Sequence, residues 1–149
     1  MQDFNDNDLD ALYSALIVDH SRRPHHFGTL KVPPAKTLEA FNPLCGDRFS
    51  LYLDLDGATI KQLTFQGSGC AISTASLSIL TDLVHGKTLS EACDAIEAFT
   101  ALLTGAALEP KKLTTLGKAA ALAGVKAFPM RVKCATLGWH ALQQLLESK

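Results

Sequence analysis

Residues 49–83, "FSLYLDLDGATIKQLTFQGSGCAISTASLSILTDL", decide the fold, because the apolar period changes from two to that of a helix within them. Phe49, Leu51, Leu53 and Leu55 alternate with Ser50, Tyr52, Asp54 and Asp56, the pattern of a strand with one buried face. "DG" at Asp56-Gly57 supplies positive-φ residues for a tight hairpin, and "TIKQLTFQ" returns as the partner strand. After "GSGC" the spacing turns helical, with Ile72, Ala75, Ile79 and Leu83 on one face and Gly86 as terminator. Cys70 therefore stands at or just before a helix start.

Working outward, "TLEAF" at residues 37–41 gives a third strand. Asp6, Asn7 and Asp8 cap an N-terminal helix whose apolar positions are Leu9, Leu12, Tyr13, Leu16 and Ile17; it ends near "SRRPHHFG", where Pro24 disfavours helix for Arg23. Downstream, "TLSE" from Thr88 has capping-box spacing and opens a helix to about Leu103. Gly105 and Pro110 interrupt the chain, "KKLTTLGKAAALAGV" forms a short helical insertion, and Pro129 precedes a last helix through Leu146 with Cys134 in its first turns. The order of helix, sheet, then helices predicts an α+β fold: a small three-stranded antiparallel sheet with helices packed on it.

The chain has 149 residues, 47% hydrophobic and 19% charged, which suits one domain over residues 1–149 with a core of its own. With a net charge of −1 and no basic block, it lacks the electrostatic footprint of a nucleic-acid binder. The acidic "MQDFNDNDLDAL" is unlike a signal peptide and no apolar run reaches membrane-spanning length, so a soluble, cytoplasmic protein is expected. In that setting the four cysteines, Cys45, Cys70, Cys93 and Cys134, read as reduced core residues, metal ligands or reactive thiols, not as a disulfide framework. Phosphate-binding glycine loops, the nucleophile elbow and the zinc-deaminase motif are all missing from the sequence.

"NPLCGDRF", residues 42–49, places Cys45 two residues from Asp47, which is either an ordinary turn or half of a metal site. Zinc takes four ligands, preferring Cys and His and accepting Asp, and Cys45, Asp47, Cys70 and Cys134 would make such a set. Their spacing is not that of a zinc finger, so spacing alone does not choose. Cys45 and Cys70 lie in glycine-flanked loops that favour access, and Cys70 faces the helix end that favours negative charge. Cys93 lines up with Ile96, Phe99 and Leu103 as a small core residue. His25 and His26 read as solvated loop residues or spare ligands, His85 as a complement to a helix C-terminus, and His140 as facing away from Cys134.

Taken together, "LYSALIVDHSRRPHHFG", "NPLCGD", "FQGSGCAISTAS" and "RVKCATLGW" resemble the SufU-like branch of the IscU/NifU family of iron-sulfur cluster assembly proteins, over nearly the whole chain. The resemblance implies a SufE/NifU-like fold with three cysteine loops converging at one end, and one zinc per chain held by Cys45, Asp47, Cys70 and Cys134. Lys133 stands where scaffold-type members have histidine, and the insertion before Pro129 lengthens the interval to the third cysteine; both features are similar to SufU.

The implied activity is that of a zinc-dependent sulfurtransferase. Persulfide sulfur would come from a pyridoxal-phosphate (PLP) cysteine desulfurase of SufS type and pass to a downstream iron-sulfur assembly complex, with neither nucleic acid nor membrane as partner. Cys45 is the acceptor that the first motif implies, Cys134 the one that IscU-type proteins imply. Arg131, one turn before Cys134, could steady the anionic persulfide. Two other readings stand beside this one: a scaffold for a transient [2Fe-2S] cluster, and a binding module in which zinc merely staples the loops.

Overall fold

The computed structural model describes residues 15–30, 33–34, 36–43 and 46–147. Cys45 and the helix-start residues Asp6 to Tyr13 lie outside the described residues. Strands β1 (Lys36–Asn42), β2 (Asp47–Asp56) and β3 (Thr59–Ser68) form one antiparallel sheet in the order β1-β2-β3. Helix α1 is described over residues 15–22 and precedes the sheet. After it come α2 (Ala71–Val84), α3 (Leu89–Leu103), α4 (Pro110–Leu116), a 3₁₀ segment (Gly117–Ala127) and α5 (Pro129–Glu147). This is the α+β arrangement the sequence predicts.

Pairing places Leu51 opposite Phe65 and Leu53 opposite Leu63, so the alternating residues of both strands share one face. These four side chains and Phe49 are buried, and helices α2 and α5 pack against the sheet. The hairpin turn differs from expectation by one position: Asp56 pairs with Thr59, leaving Gly57 and Ala58 as the turn. Gly57 alone takes a positive φ, +62°, which is what a glycine at the first turn position supplies without steric cost. The register also shifts beside Asp54 and Leu55, which pair with Gln62 and Ile60 and leave Lys61 as an extra residue. β3 is an edge strand, and the loop after α1 covers part of it: Gly28 N–H donates to Phe65 O at 2.7 Å, and Phe65 N–H to His26 O at 3.2 Å.

Helix α2 is buried far beyond a single face. Every residue from Ala75 to Thr81 is buried, whereas Ile72 and Leu83, expected on the core face, are only half-buried. The cause is its central position, with contacts to β3 on one side and to α5 and the 3₁₀ segment on others. Buried hydroxyls in such a helix must find partners. Ser76 Oγ donates to Ala135 O at 2.5 Å and accepts from Trp139 Nε1 at 2.8 Å, tying α2 to α5. The Trp139 ring stacks on Phe99 of α3, with centroids 3.7 Å apart. Close approach of α2 and α5 is possible because residue 138 is glycine: a Cβ there would meet Leu77 Cδ2 at 2.2 Å. The capping box at α3 forms as expected, with Thr88 Oγ1 accepting from Glu91 N–H and Glu91 Oε1 accepting from Thr88 N–H.

Candidate metal centre

Three elements deliver one ligand each to the same end of the sheet. Asp47 opens β2, Cys70 caps α2, and Cys134 lies in α5. The register carries Asp47 there, since its neighbour Arg48 pairs with Ser68 at the end of β3, just before Gly69 and Cys70. The clamp of Ser76 on Ala135 and Trp139 brings the start of α5 to the same place. One ligand atom each from Asp47, Cys70 and Cys134 lies within 4.8 Å of the others.

The contacts of Asp47 are unequal. Its Oδ1 accepts the Cys70 N–H at 2.8 Å, fixing carboxylate and thiol side by side. Its Oδ2 is buried, in a residue that is fully buried, and has no hydrogen-bond partner among the described residues. A buried carboxylate oxygen without a partner is costly unless a cation or donor meets it. Two thiols and this oxygen, gathered within 4.8 Å, are three of the four donors that a tetrahedral thiolate-binding ion needs. The residues present therefore fit a metal, with Cys45, outside the described residues, as the fourth candidate.

Cys70 Sγ accepts the Ser73 N–H at 3.4 Å, so the thiol itself caps α2. Asn42, paired with Asp47 across the first hairpin, reaches Cys134 Sγ with its Nδ2 at 4.0 Å. Gly69 has no room for a side chain: a Cβ would lie 2.6 Å from Asp47 Oδ1, 2.7 Å from Ser73 Oγ and 2.8 Å from Phe49 Cε2. Its role is to admit the Asp47 carboxylate, which the glycine-rich spelling of "GSGC" signals only after the fold is known. Neither Asn42 nor Gly69 is legible from the sequence as part of the site.

Other predicted residues fall elsewhere. Arg131 is exposed in the first turn of α5, where no acidic side chain accompanies it. His140 is exposed and lines a cleft of about 370 Å³ with Phe41, Asn42 and Lys133, and it is not among the grouped ligands. Cys93 is half-buried, less enclosed than a core residue, and its thiol pKa is raised by burial first and then by Glu147, Asp94 and Glu97.

The loop histidines are not simply solvated. His25 Nδ1 lies 2.5 Å from Asp82 Oδ2, and His26 Nδ1 lies 3.0 Å from Thr81 Oγ1, so both are tied to α2. His85 stacks on His26 with centroids 5.9 Å apart, a contact its expected dipole role did not include. Burial, then the nearby Lys118, lowers the pKa of His20; burial also lowers that of His26. A depressed folded-state pKa means that these rings bind protons more readily once unfolded. Their contribution is thus present above the unfolded value near 6.5 and is lost as pH falls through the folded values. Urea unfolding should show stability decreasing as pH falls below that value; a flat profile to pH 5, about where carboxylates begin to titrate, would contradict it.

An α+β chain whose strand start, helix cap and last helix converge on a carboxylate and two thiols carries a candidate metal site at one end of its sheet. Residues 12–135 match the family model for the NifU-like N-terminal domain, and the chain belongs to that family. It is 44% identical over 139 residues, 93% of this chain and 85% of the relative, to "Iron-sulfur cluster assembly scaffold protein IscU" of Streptococcus pyogenes serotype M1. It is 39% identical over 141 residues, 95% of this chain and 92% of the relative, to "Zinc-dependent sulfurtransferase SufU" of Bacillus subtilis (strain 168). Among solved structures, a candidate iron-sulfur cluster assembly scaffold for the SUF system from Fervidobacterium islandicum AW-1 superposes with TM-score 0.83 at 33% identity, covering 89% of this chain and 94% of that one.

Proposed function

We propose that this chain is a zinc-dependent sulfur acceptor in iron-sulfur cluster assembly, supplied by a PLP-dependent cysteine desulfurase of SufS type. The observation that carries the reading is the buried Asp47 Oδ2, without a hydrogen-bond partner among the described residues, beside Cys70 and Cys134. The B. subtilis relative's name supports it, as do Lys133 before Cys134 and the α4 and 3₁₀ insertion before α5.

Asp47, Cys70 and Cys134, with Cys45, would hold the ion, and zinc when bound keeps cysteine sulfur deprotonated. Cys45 is the proposed acceptor. It is two residues from Asp47, and chain geometry keeps their Cα atoms within about 7 Å. Cys134 is buried, which makes it the poorer target for an incoming persulfide. The Cys45 thiolate attacks the outer sulfur of the desulfurase persulfide; a new S–S bond forms, the old one breaks, and the desulfurase cysteine leaves as thiolate. The transferred sulfur keeps its proton, and because one S–S bond replaces another at the same oxidation level, no external oxidant or reductant is used. Arg131, exposed at the start of α5, is the proposed cation for the resulting persulfide once it ionises.

The second reading, an assembly scaffold, is supported by the name of the S. pyogenes relative. In it the same thiolates take a [2Fe-2S] cluster as cargo. The two are separated by metal analysis of the purified chain and by desulfurase turnover. About one zinc per chain, the stoichiometry of a four-ligand site, and faster cysteine turnover by the desulfurase are expected. A chain that builds and donates a cluster without stimulating its desulfurase would favour the scaffold.

A further inference from the structure

We propose that His20, His25 and Asp82 form a second metal site, for a divalent transition ion of the Zn²⁺, Co²⁺ or Ni²⁺ kind, in which the Lys118 ammonium is the resting occupant. The residues come from α1, the loop after it, and α2, and one ligand atom of each lies within 4.8 Å of the others. Lys118, from the 3₁₀ segment, places Nζ 3.0 Å from Asp82 Oδ2 and 3.2 Å from His20 Nε2. An ammonium sits about 3 Å from its acceptors whereas zinc-type ions bind at about 2.0–2.2 Å, so exchange requires a contraction of about 1 Å. Imidazole nitrogen with one carboxylate favours zinc, cobalt or nickel over magnesium or calcium.

The surroundings are those of a supported ligand set. Because His20 Nε2 accepts from Lys118, its Nδ1 carries the proton and donates to Ser78 Oγ at 2.7 Å. That bond fixes the tautomer which leaves the Nε2 lone pair pointing inward, as metal-bound histidines generally require. His26 Nδ1 stands 3.5 Å from Asp82 Oδ1, and hydrogen bonds Thr81 as well. Burial, the largest single influence, would raise the Asp82 pKa, but the hydrogen bonds and positive charge of Lys118 and His25 together lower it. Access is open, since the side chains of His25 and Lys118 are 42% and 43% exposed and Lys118 can swing into water. The site shares no residue with the cysteine centre, and Asp82 lies about 18 Å along α2 from Cys70 at 1.5 Å per residue. An ion that displaces Lys118 also unties the 3₁₀ segment from α1 and α2 at this point.

The test uses the full chain with the cysteine centre first filled with zinc, then titrated with Co²⁺ near neutral pH. Equilibrium dialysis and visible absorption are the readouts. One further cobalt per chain is expected, without sulfur-to-cobalt charge-transfer bands. His25→Ala should weaken this uptake, and Lys118→Met strengthen it, each about tenfold or more, the scale seen when groups around a metal are changed. Both replaced side chains are partly exposed, so thermal unfolding should find both variants folded. No uptake by the native chain, even if Lys118→Met binds, would overturn the proposal. Uptake that survives both His25→Ala and Asp82→Asn would overturn it too, as would cobalt bearing thiolate bands, which marks exchange into the cysteine centre.

Discussion

Asp47→Asn is expected to change the stability of the metal-free and zinc-loaded chains in opposite directions. In chelator the variant should be as stable as the parent or more so. Asparagine keeps an oxygen for the Cys70 N–H, held at 2.8 Å in the parent, while removing a buried carboxylate whose second oxygen has no partner among the described residues. Unpaired buried charge is expensive, and its loss is a gain. With zinc the order should reverse, because an anionic ligand has gone. The zinc affinity should fall by at least about 100-fold, the upper end of what is lost when a group merely hydrogen-bonded to a ligand is changed. Competition with a chromophoric chelator measures the affinity, and urea unfolding with and without zinc measures the crossing. Equal destabilisation in both states would mean that Asp47 serves only as a turn acceptor.

Trp139→Ala should produce the largest loss of stability of any single change considered, about 3–5 kcal/mol by the cost of truncating a buried aromatic. The ring is fully buried on Phe99, and its Nε1–H is one of two bonds made by Ser76 Oγ, so its loss opens a cavity and loosens α5 from α2. Cys134 rides on that helix one residue from Ala135, the other partner of Ser76. Zinc should therefore stabilise the Trp139→Ala chain less than the parent at equal concentration. The milder Ser76→Ala, which leaves Trp139 Nε1 and Ala135 O without their partner, should cost about 1–3 kcal/mol. Denaturant midpoints at fixed zinc check both; a Trp139→Ala chain with unchanged zinc response would show that the clamp does not position Cys134.

The strands of this fold are legible from sequence because one face of the sheet is buried and the other is not. Phe49, Leu51 and Leu53 are all buried while Ser50, Tyr52 and Asp54 are half-buried between them. Turn chemistry was less sharp: "DG" signals a hairpin, but pairing decides that Gly57 and Ala58, not Asp56, occupy it. For α2, periodicity suggested one apolar face, whereas Ser76, Ser78 and Thr81 are buried as hydrogen-bonding residues. Serine carries no apolar signal, so such a helix is underestimated by any hydrophobic pattern. The candidate ligands could be named from residue chemistry and family resemblance, but the meeting of Asp47, Cys70 and Cys134 depends on the β2–β3 register and on the α2–α5 clamp. The contacts of Asn42, the missing space at Gly69 and the histidine group around Asp82 depend on partners distant in sequence and leave no local mark.

Sulfur acceptance at Cys45 within a zinc-holding site is the central claim, and intact mass analysis tests it most directly. The chain is incubated with a SufS-type desulfurase and cysteine, then compared with its Cys45→Ser and Cys134→Ser forms. Added sulfur mass is expected on the parent and on any Cys134→Ser chain that remains folded, and none on Cys45→Ser. Sulfur that persists on Cys45→Ser and vanishes from a folded Cys134→Ser chain would contradict the account.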